Sequence, residues 1–263
     1  MSRILSVANQ KGGVGKTTTT INLATALAMA KQRILVIDMD PQGNLTSGLG
    51  LKGQAAPAGT IYQALTSPDG IEDAGAFTLE TRIKDLWLIP ADRNLTGAEV
   101  ELVTLPDRER RLRDLLVSLR DRFDFILIDT PPSLGLLTIN ALVASNGVIV
   151  PVQCEYLSLR GLVQLENTLS MIRENLNPDV AIEGILPTMY DKRLLHSKEA
   201  VEILKENFGD LVYKTKIRKT IRYAEAPVKG QSVLGYDPSG DAASLYRDLA
   251  KEVLNGAKAR EHA

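Results

Sequence analysis

The sequence predicts one α/β domain with a mostly parallel central β-sheet and helices on both faces. Three observations predict it. Short apolar runs rich in β-branched residues alternate with segments of helical period, a glycine-rich loop joins the first run to the first helix, and no linker or composition break divides the 263 residues. Hydrophobic residues at 44% and charged residues at 24% give the balance of a folded globular chain, which excludes disorder, collagen and coiled coil. A single α/β domain can reach about 250 residues. Residues 1–263 are therefore expected to form one domain, with about 256–263 as a flexible tail.

In chain order, residues 4–8 and 34–38 read as buried strands on either side of a helical run from Thr18 to Met29. Residues 43–59, rich in Gly, Ser, Thr and Ala, read as a mobile loop with at most a short helix. Further strands are expected at 86–89, 125–129, 148–152, 182–187 and 211–213. Leu112, Leu115, Leu116 and Leu119 recur at i, i+3, i+4 and i+7, and Leu162, Leu165, Leu169, Ile172 and Leu176 follow at near-heptad spacing, so both stretches read as helices. A last helix is expected from about Asp241 to Leu254, stopping at Gly256. Strand and helix in alternation means βαβ units, whose ligands bind beyond the carboxyl ends of the strands.

Lys and Arg total 31 against 32 Asp and Glu, so affinity for nucleic acid would have to come from a local patch. Cys154, the one cysteine, makes no internal disulfide and supplies no paired thiolates for zinc or iron–sulfur, which fits a reducing compartment. His196 and His262 are isolated, so neither a histidine metal cluster nor a histidine-based nucleophilic triad is expected. The amino terminus shows no signal-peptide pattern, and no stretch approaches the ~20 apolar residues of a membrane span. A cytoplasmic protein is the expectation.

Lys11, Gly12, Gly13, Val14, Gly15, Lys16 and Thr17 follow the first strand and precede the first helix, the context required of a phosphate-binding loop. Glycines let backbone N–H groups converge on phosphate oxygens, and the helix amino terminus adds about half a positive charge. Lys16 is expected at the β- and γ-phosphates and Thr17 on Mg²⁺, with Thr18 beside it. Gln10 stands where the general motif has its first glycine, and Lys11 follows it.

Strand 34–38 ends in Asp38-Met39-Asp40-Pro41-Gln42-Gly43-Asn44. Alternation along an extended chain lets Asp38 and Asp40 share a direction, one organising the water shell of the metal and the other orienting the attacking water. The apolar strand 125–129 ends in Asp129, and a carboxylate there is costly unless a cation or donors meet it. Asp129 is expected to hold Mg²⁺ through water.

The second lysine resembles the deviant Walker A motif, KGGxGK[ST], of P-loop ATPases that dimerise face to face, among them ParA/Soj partition proteins, MinD and the nitrogenase iron protein. The similarity is greatest to ParA/Soj and covers most of the chain, through residues 9–19, 38–44, 128–133, 187–191 and 225–227. It implies ATP and Mg²⁺ as ligands and an ATP-dependent homodimer in which Lys11 reaches the phosphates of the partner. It also implies that Asp40 positions water and that Met189, Tyr190 and Pro227 flank the adenine. The P-loop starts near the first residue, as in the small chromosomal and plasmid members, which bind double-stranded DNA without sequence preference. By the same resemblance a ParB-type centromere-binding protein triggers slow hydrolysis, and the protein is nucleoid-associated.

For DNA the candidate patch is Lys214, Lys216, Arg218, Lys219 and Arg222, five basic residues and no acid in nine positions. Arg108, Arg110, Arg111 and Arg113 alternate with Asp107, Glu109 and Asp114 and read as a neutralised helix face. A MinD-like membrane switch would need bulky apolar residues in an amphipathic terminal helix, and residues 255–263 carry none, so no stable membrane association is expected. A four-thiolate cluster bridging two chains is excluded by one cysteine per chain. A P-loop kinase or ligase acting on a small metabolite is the enzyme alternative, opposed by Lys11 and the Asp38/Asp40 segment.

Overall fold

The computed structural model describes residues 2–67, 71, 73–155 and 159–261. Strand β1 (Arg3–Val7) leads through the glycine loop into helix α1 (Lys16–Met29), and β2 (Ile34–Asp38) into the short α2 (Asn44–Gly48) and α3 (Ile61–Thr66). Next come β3 (Leu79–Glu80), β4 (Leu86–Ile89), α4 (Leu95–Glu101), α5 (Arg111–Leu116), β5 (Phe125–Asp129) and α6 (Leu136–Ala144). The chain closes with β6 (Gly147–Gln153), α7 (Leu159–Asn175), β7 (Ala181–Thr188), α8 (Leu195–Phe208), α9 (Arg222–Val228), α10 (Val233–Tyr236) and α11 (Asp241–Glu261).

The seven strands lie in the order β3-β4-β2-β5-β1-β6-β7, all parallel except the β3–β4 pair. Because side chains alternate along each strand, the sheet feeds two cores. Leu5, Val7, Val36 and Leu127 pack with α1 and α11, while Ile4, Ile37, Ile126 and Ile128 pack with α3, α4, α5 and α6. A third cluster joins Val148, Val150 and Ile185 to α7 and Leu204 of α8. Registration sets Asp38 opposite Asp129 and Asp129 opposite Val7. The loop and two acids are thus delivered to one row at the carboxyl ends, where the strand order reverses.

Two expectations need correction. Residues 211–213 do not form a strand; only Val212 bridges to Ile185. A 3₁₀ turn over Gly209–Leu211 takes up Leu211, the Tyr213 N–H donates to the Ile185 carbonyl at 2.9 Å, and the amides just beyond, of Lys214 and Thr215, donate to the two oxygens of Glu252 on α11 at 2.7 and 2.8 Å. The seventh strand is instead the two-residue β3, too short for any periodicity to show. The last helix does not stop at Gly256 but runs to Glu261. Glycine costs about 1 kcal/mol inside a helix, which Ala257, Lys258 and Ala259 offset as good helix formers. Within 43–59 the short helix is present as α2, and Leu45, Leu49 and Leu51 bury it in the core.

Candidate functional site

The glycine loop is pinned from two sides by polar side chains. Asn9 donates to the Pro151 carbonyl at 2.8 Å and accepts from the Lys11 N–H at 2.9 Å. From β7, the Thr188 hydroxyl donates to the Val14 carbonyl at 2.9 Å. Gly13 and Gly15 have φ of +73° and +92°, the left-handed region that other residues enter only under strain. That turn brings the chain into α1, whose first turn carries no acidic side chain to offset the positive end of its dipole.

The two lysines part company. Lys16 is 7% exposed and its Nζ donates to the carbonyls of Asn9 and Lys11, at 3.0 and 3.3 Å. Burial lowers its pKa, while the charges of Asp129 and Asp40 oppose that shift. Lys11 points outward, half-exposed, with Nζ 3.6 Å from the exposed Glu155 carboxylate.

Asp38 and Asp129 are fully buried. Asp129 accepts from the Thr17 hydroxyl at 2.7 Å and from the Thr20 hydroxyl at 3.1 Å. Its pKa is pushed up to about 8, first by burial and then by the neighbouring Asp38 charge, against the two hydroxyls. Burial likewise raises Asp38 to about 6, opposed by hydrogen bonds from Thr46. The extended chain persists through Met39, whose N–H donates to the Asp129 carbonyl; Asp40 then begins a turn, its carboxylate accepting from the Gln42 N–H at 2.9 Å.

Two buried carboxylates side by side, with the Asp38 charge adding to the rise at Asp129, fit a divalent cation, and the hydroxyl of Thr17 adds a hard oxygen donor. Among the described residues no cluster of three or more acidic, histidine or cysteine side chains forms a complete cage. That matches Mg²⁺, which takes one or two carboxylates, waters and substrate phosphates.

Known proteins agree with this geometry. A family described as an AAA domain matches residues 2–182. The sporulation initiation inhibitor protein Soj of Bacillus subtilis is 47% identical over 255 residues, covering 96% of this chain and 98% of that protein. The chromosome partitioning protein ParA of Myxococcus xanthus is 46% identical over 97% of this chain and 88% of its own length. The chain belongs to the ParA/Soj family of P-loop ATPases. Among solved structures, a cobyrinic acid a,c-diamide synthase of Mycobacterium smegmatis with bound ADP and magnesium superposes with a TM-score of 0.83 at 37% identity. It covers 98% of this chain and 96% of that one.

Of the residues this ParA/Soj chain was expected to set around adenine, Met189 directly follows Thr188, the P-loop anchor, and takes a positive φ of 51°. The N–H of Tyr190 donates to the Ile217 carbonyl at 3.0 Å, and its ring lies 5.4 Å from Lys216 Nζ. Pro227 sits inside α9, beside Gly48 of α2. Pro227 is thus placed near α1 through Gly48 and Ile21, and Met189 beside the loop itself.

The basic segment differs from its sequence in one respect. Lys214, Arg218, Lys219 and Arg222 are exposed and Lys216 is half-buried. Acids from outside the nine-residue stretch meet the arginines: Asp241 lies 3.3 Å from Arg218, and Asp237 and the adjacent Glu225, one turn along α9, lie 3.6 and 2.9 Å from Arg222. The arginine-rich helix face expected to be neutralised carries Arg108–Glu109 and Arg113–Asp114 pairs.

Sequence reasoning assigned no role to Asn9, Thr20, Thr46 or Thr188. Thr20 had a signal, since it lies three residues after Thr17 on the same helix face. Thr46, eight residues beyond Asp38, had none. Cys154 is buried, its thiol pushed up to about 12 by burial, as expected of a small core residue.

Proposed function

We propose that this chain is an ATP-driven dimerising switch for chromosome or plasmid partitioning. Two copies close over two ATP molecules, the dimer holds double-stranded DNA without sequence preference, and hydrolysis releases it. The observation that carries the reading is the divergence of the two loop lysines. Lys16 turns into its own phosphate cradle, whereas Lys11 projects outward and, among the described residues, is ion-paired with an exposed, solvent-screened carboxylate, a pairing weak enough to give way to a neighbouring subunit. The Soj and ParA names of the relatives support the partitioning role.

In the reaction, water attacks the γ-phosphorus in line as the bond to the β-phosphate oxygen breaks, giving ADP and phosphate. Asp40 orients that water and takes up its proton. Lys16, the loop N–H groups and Lys11 of the partner subunit stabilise the spread charge. Thr17 and, through water, Asp129 and Asp38 would hold Mg²⁺, which neutralises the phosphates when bound. Lys214, Lys216, Arg218, Lys219 and Arg222 contact DNA phosphates, and a dimer presents them twice. A ParB-type protein stimulates turnover, and the switch works in the cytoplasm on the nucleoid. Among the described residues no helix is long and apolar enough to cross a membrane.

The test is Asp40→Ala, read by light scattering and by DNA co-sedimentation with ATP, ADP and no nucleotide. Expected is loss of hydrolysis by about 100-fold, with a dimer that persists on DNA in ATP alone. A monomer at saturating Mg-ATP overturns the reading. Phosphate release from ATP with water as the only acceptor separates this switch from a small-metabolite ligase.

A further inference from the structure

One buried hydroxyl near the acids has no part in the reading above. Thr46, on α2, is 2% exposed, and both its N–H and its hydroxyl donate to Asp38 Oδ2, at 2.9 and 2.7 Å. Its Oγ1 accepts in turn from the Ala91 N–H at 3.1 Å, just past the end of β4. The other Asp38 oxygen, Oδ1, accepts from the Asp40 N–H at 3.2 Å. A hydroxyl has one proton, and Ala91 offers only a donor, so that proton must go to Asp38. The direction of every bond in the series is fixed by its end groups.

We propose that Thr46 is a positioning residue for ATP hydrolysis, acting through Asp38 to fix the backbone that carries Asp40. The proposal rests on the reading of Asp40 as the acid that places water. Asp38 sits on a strand locked in the middle of the sheet, between β4 and β5, and is a rigid post. Asp40 stands at the first turn after that strand, where the ladder has ended. Two contacts hold that turn to the post: the Asp40 N–H on Oδ1, and Thr46 on Oδ2 at the far end of the 38–46 loop. Thr46 also ties the loop to the neighbouring strand end at Ala91. Removing its hydroxyl leaves the Ala91 N–H without its acceptor and Asp38 with one donor fewer, so the turn loosens at the point where the water must be aimed. Misplacement by about an ångström costs on the order of 100-fold in rate.

Thr46→Val keeps the volume and the backbone N–H and deletes the hydroxyl. Steady-state hydrolysis should show kcat reduced by about tenfold or more. KM for ATP and ATP-dependent dimerisation should stay within about twofold, because the phosphate loop is untouched. Thr46→Ser, which restores the hydroxyl without the methyl, should recover most of the rate, a rescue that a packing role would not give. Should Thr46→Val melt below the assay temperature, Thr46→Cys replaces it, and its weak donor should leave kcat well short of Thr46→Ser. A parental rate in Thr46→Val or Thr46→Cys, or a Thr46→Ser as slow as Thr46→Val, overturns the proposal. Asp40→Ala run alongside keeps the two readings apart. A parental rate in that variant removes the role of Asp40 and the relay with it, whereas a dead Asp40→Ala beside a fully active Thr46→Val removes the relay alone.

Discussion

The nucleotide site and the basic segment are both gatherings of charged side chains, yet they stand on opposite physical footings. In the first, Asp38, Asp129 and Lys16 are buried, their hydrogen bonds are made by the phosphate loop, α1, α2 and the turn at Asp40, and the surroundings shift their pKa values. In the second, the cations are mostly exposed, and Arg218 and Arg222 are shared with surface acids at distances where solvent screens the attraction. Burial makes the first site expensive to alter and specific in what it binds. Exposure makes the second tunable, since on the proposed reading DNA phosphates would compete with Asp241, Asp237 and Glu225 for the same guanidinium groups.

Lys16→Ala is the sharpest probe of the buried site. It removes the one ammonium inside the cradle and should lower ATP affinity by on the order of 100-fold and abolish ATP-dependent dimerisation. Normal dimerisation by light scattering would erase the contrast.

Next in size is the effect of pH on the nucleotide-free fold. Asp38 and Asp129 keep their protons to about 6 and about 8, above the ordinary value of 3.8, so each binds its proton more tightly folded than unfolded. Unfolding therefore releases protons between about pH 4 and pH 8, and the contribution to stability is full at the acidic end and lost as pH rises through that window. In magnesium-free thermal melts, Asp129→Asn should gain on the parent progressively from pH 5 to pH 8. A constant difference across that range would show that Asp129 titrates as an ordinary carboxyl.

Replacing Arg218 and Arg222 together with Ala should weaken DNA binding by about tenfold at moderate salt and flatten its dependence on salt, leaving dimerisation intact. The smallest effect is the reverse one. Asp241→Asn frees Arg218 and should tighten DNA binding by about twofold to threefold, within the range of an exposed ion pair. Unchanged affinity in a salt titration would mean that the pairing does not restrain the patch.

The same contrast decides how far each region was legible in the sequence. Strand positions 34–38, 86–89 and 125–129 could be read to the residue, because fully buried parallel strands are continuous apolar runs. The loop from Lys11 to Thr17 was legible because its chemistry fixes residue types at fixed spacing. Its anchors were not: Asn9 reaches Pro151 and Thr188 reaches Val14 across more than a hundred residues, and a hydroxyl or amide carries no mark of its partner. The acid-free stretch from Lys214 to Arg222 hid its partners for the same reason, since Asp237 and Asp241 arrive from the chain that follows. Residues 211–213 have the composition of a strand, yet Leu211 is taken into a 3₁₀ turn, only Val212 bridges to β7, and the amides just beyond go to the Glu252 carboxylate.

That carboxylate has a further effect on the border of the sheet. A parallel array ending in a row of unused amides is a template on which another chain can grow, by exchange between copies or by fibril formation. Here the N–H groups of Tyr213 and Ile217 cover the Ile185 and Pro187 carbonyls of the edge strand β7 while Glu252 holds the amides of Lys214 and Thr215 between them, and at the opposite border a two-residue ribbon running the other way leaves too little to build on. Both margins of the sheet are thereby closed to pairing by a further strand.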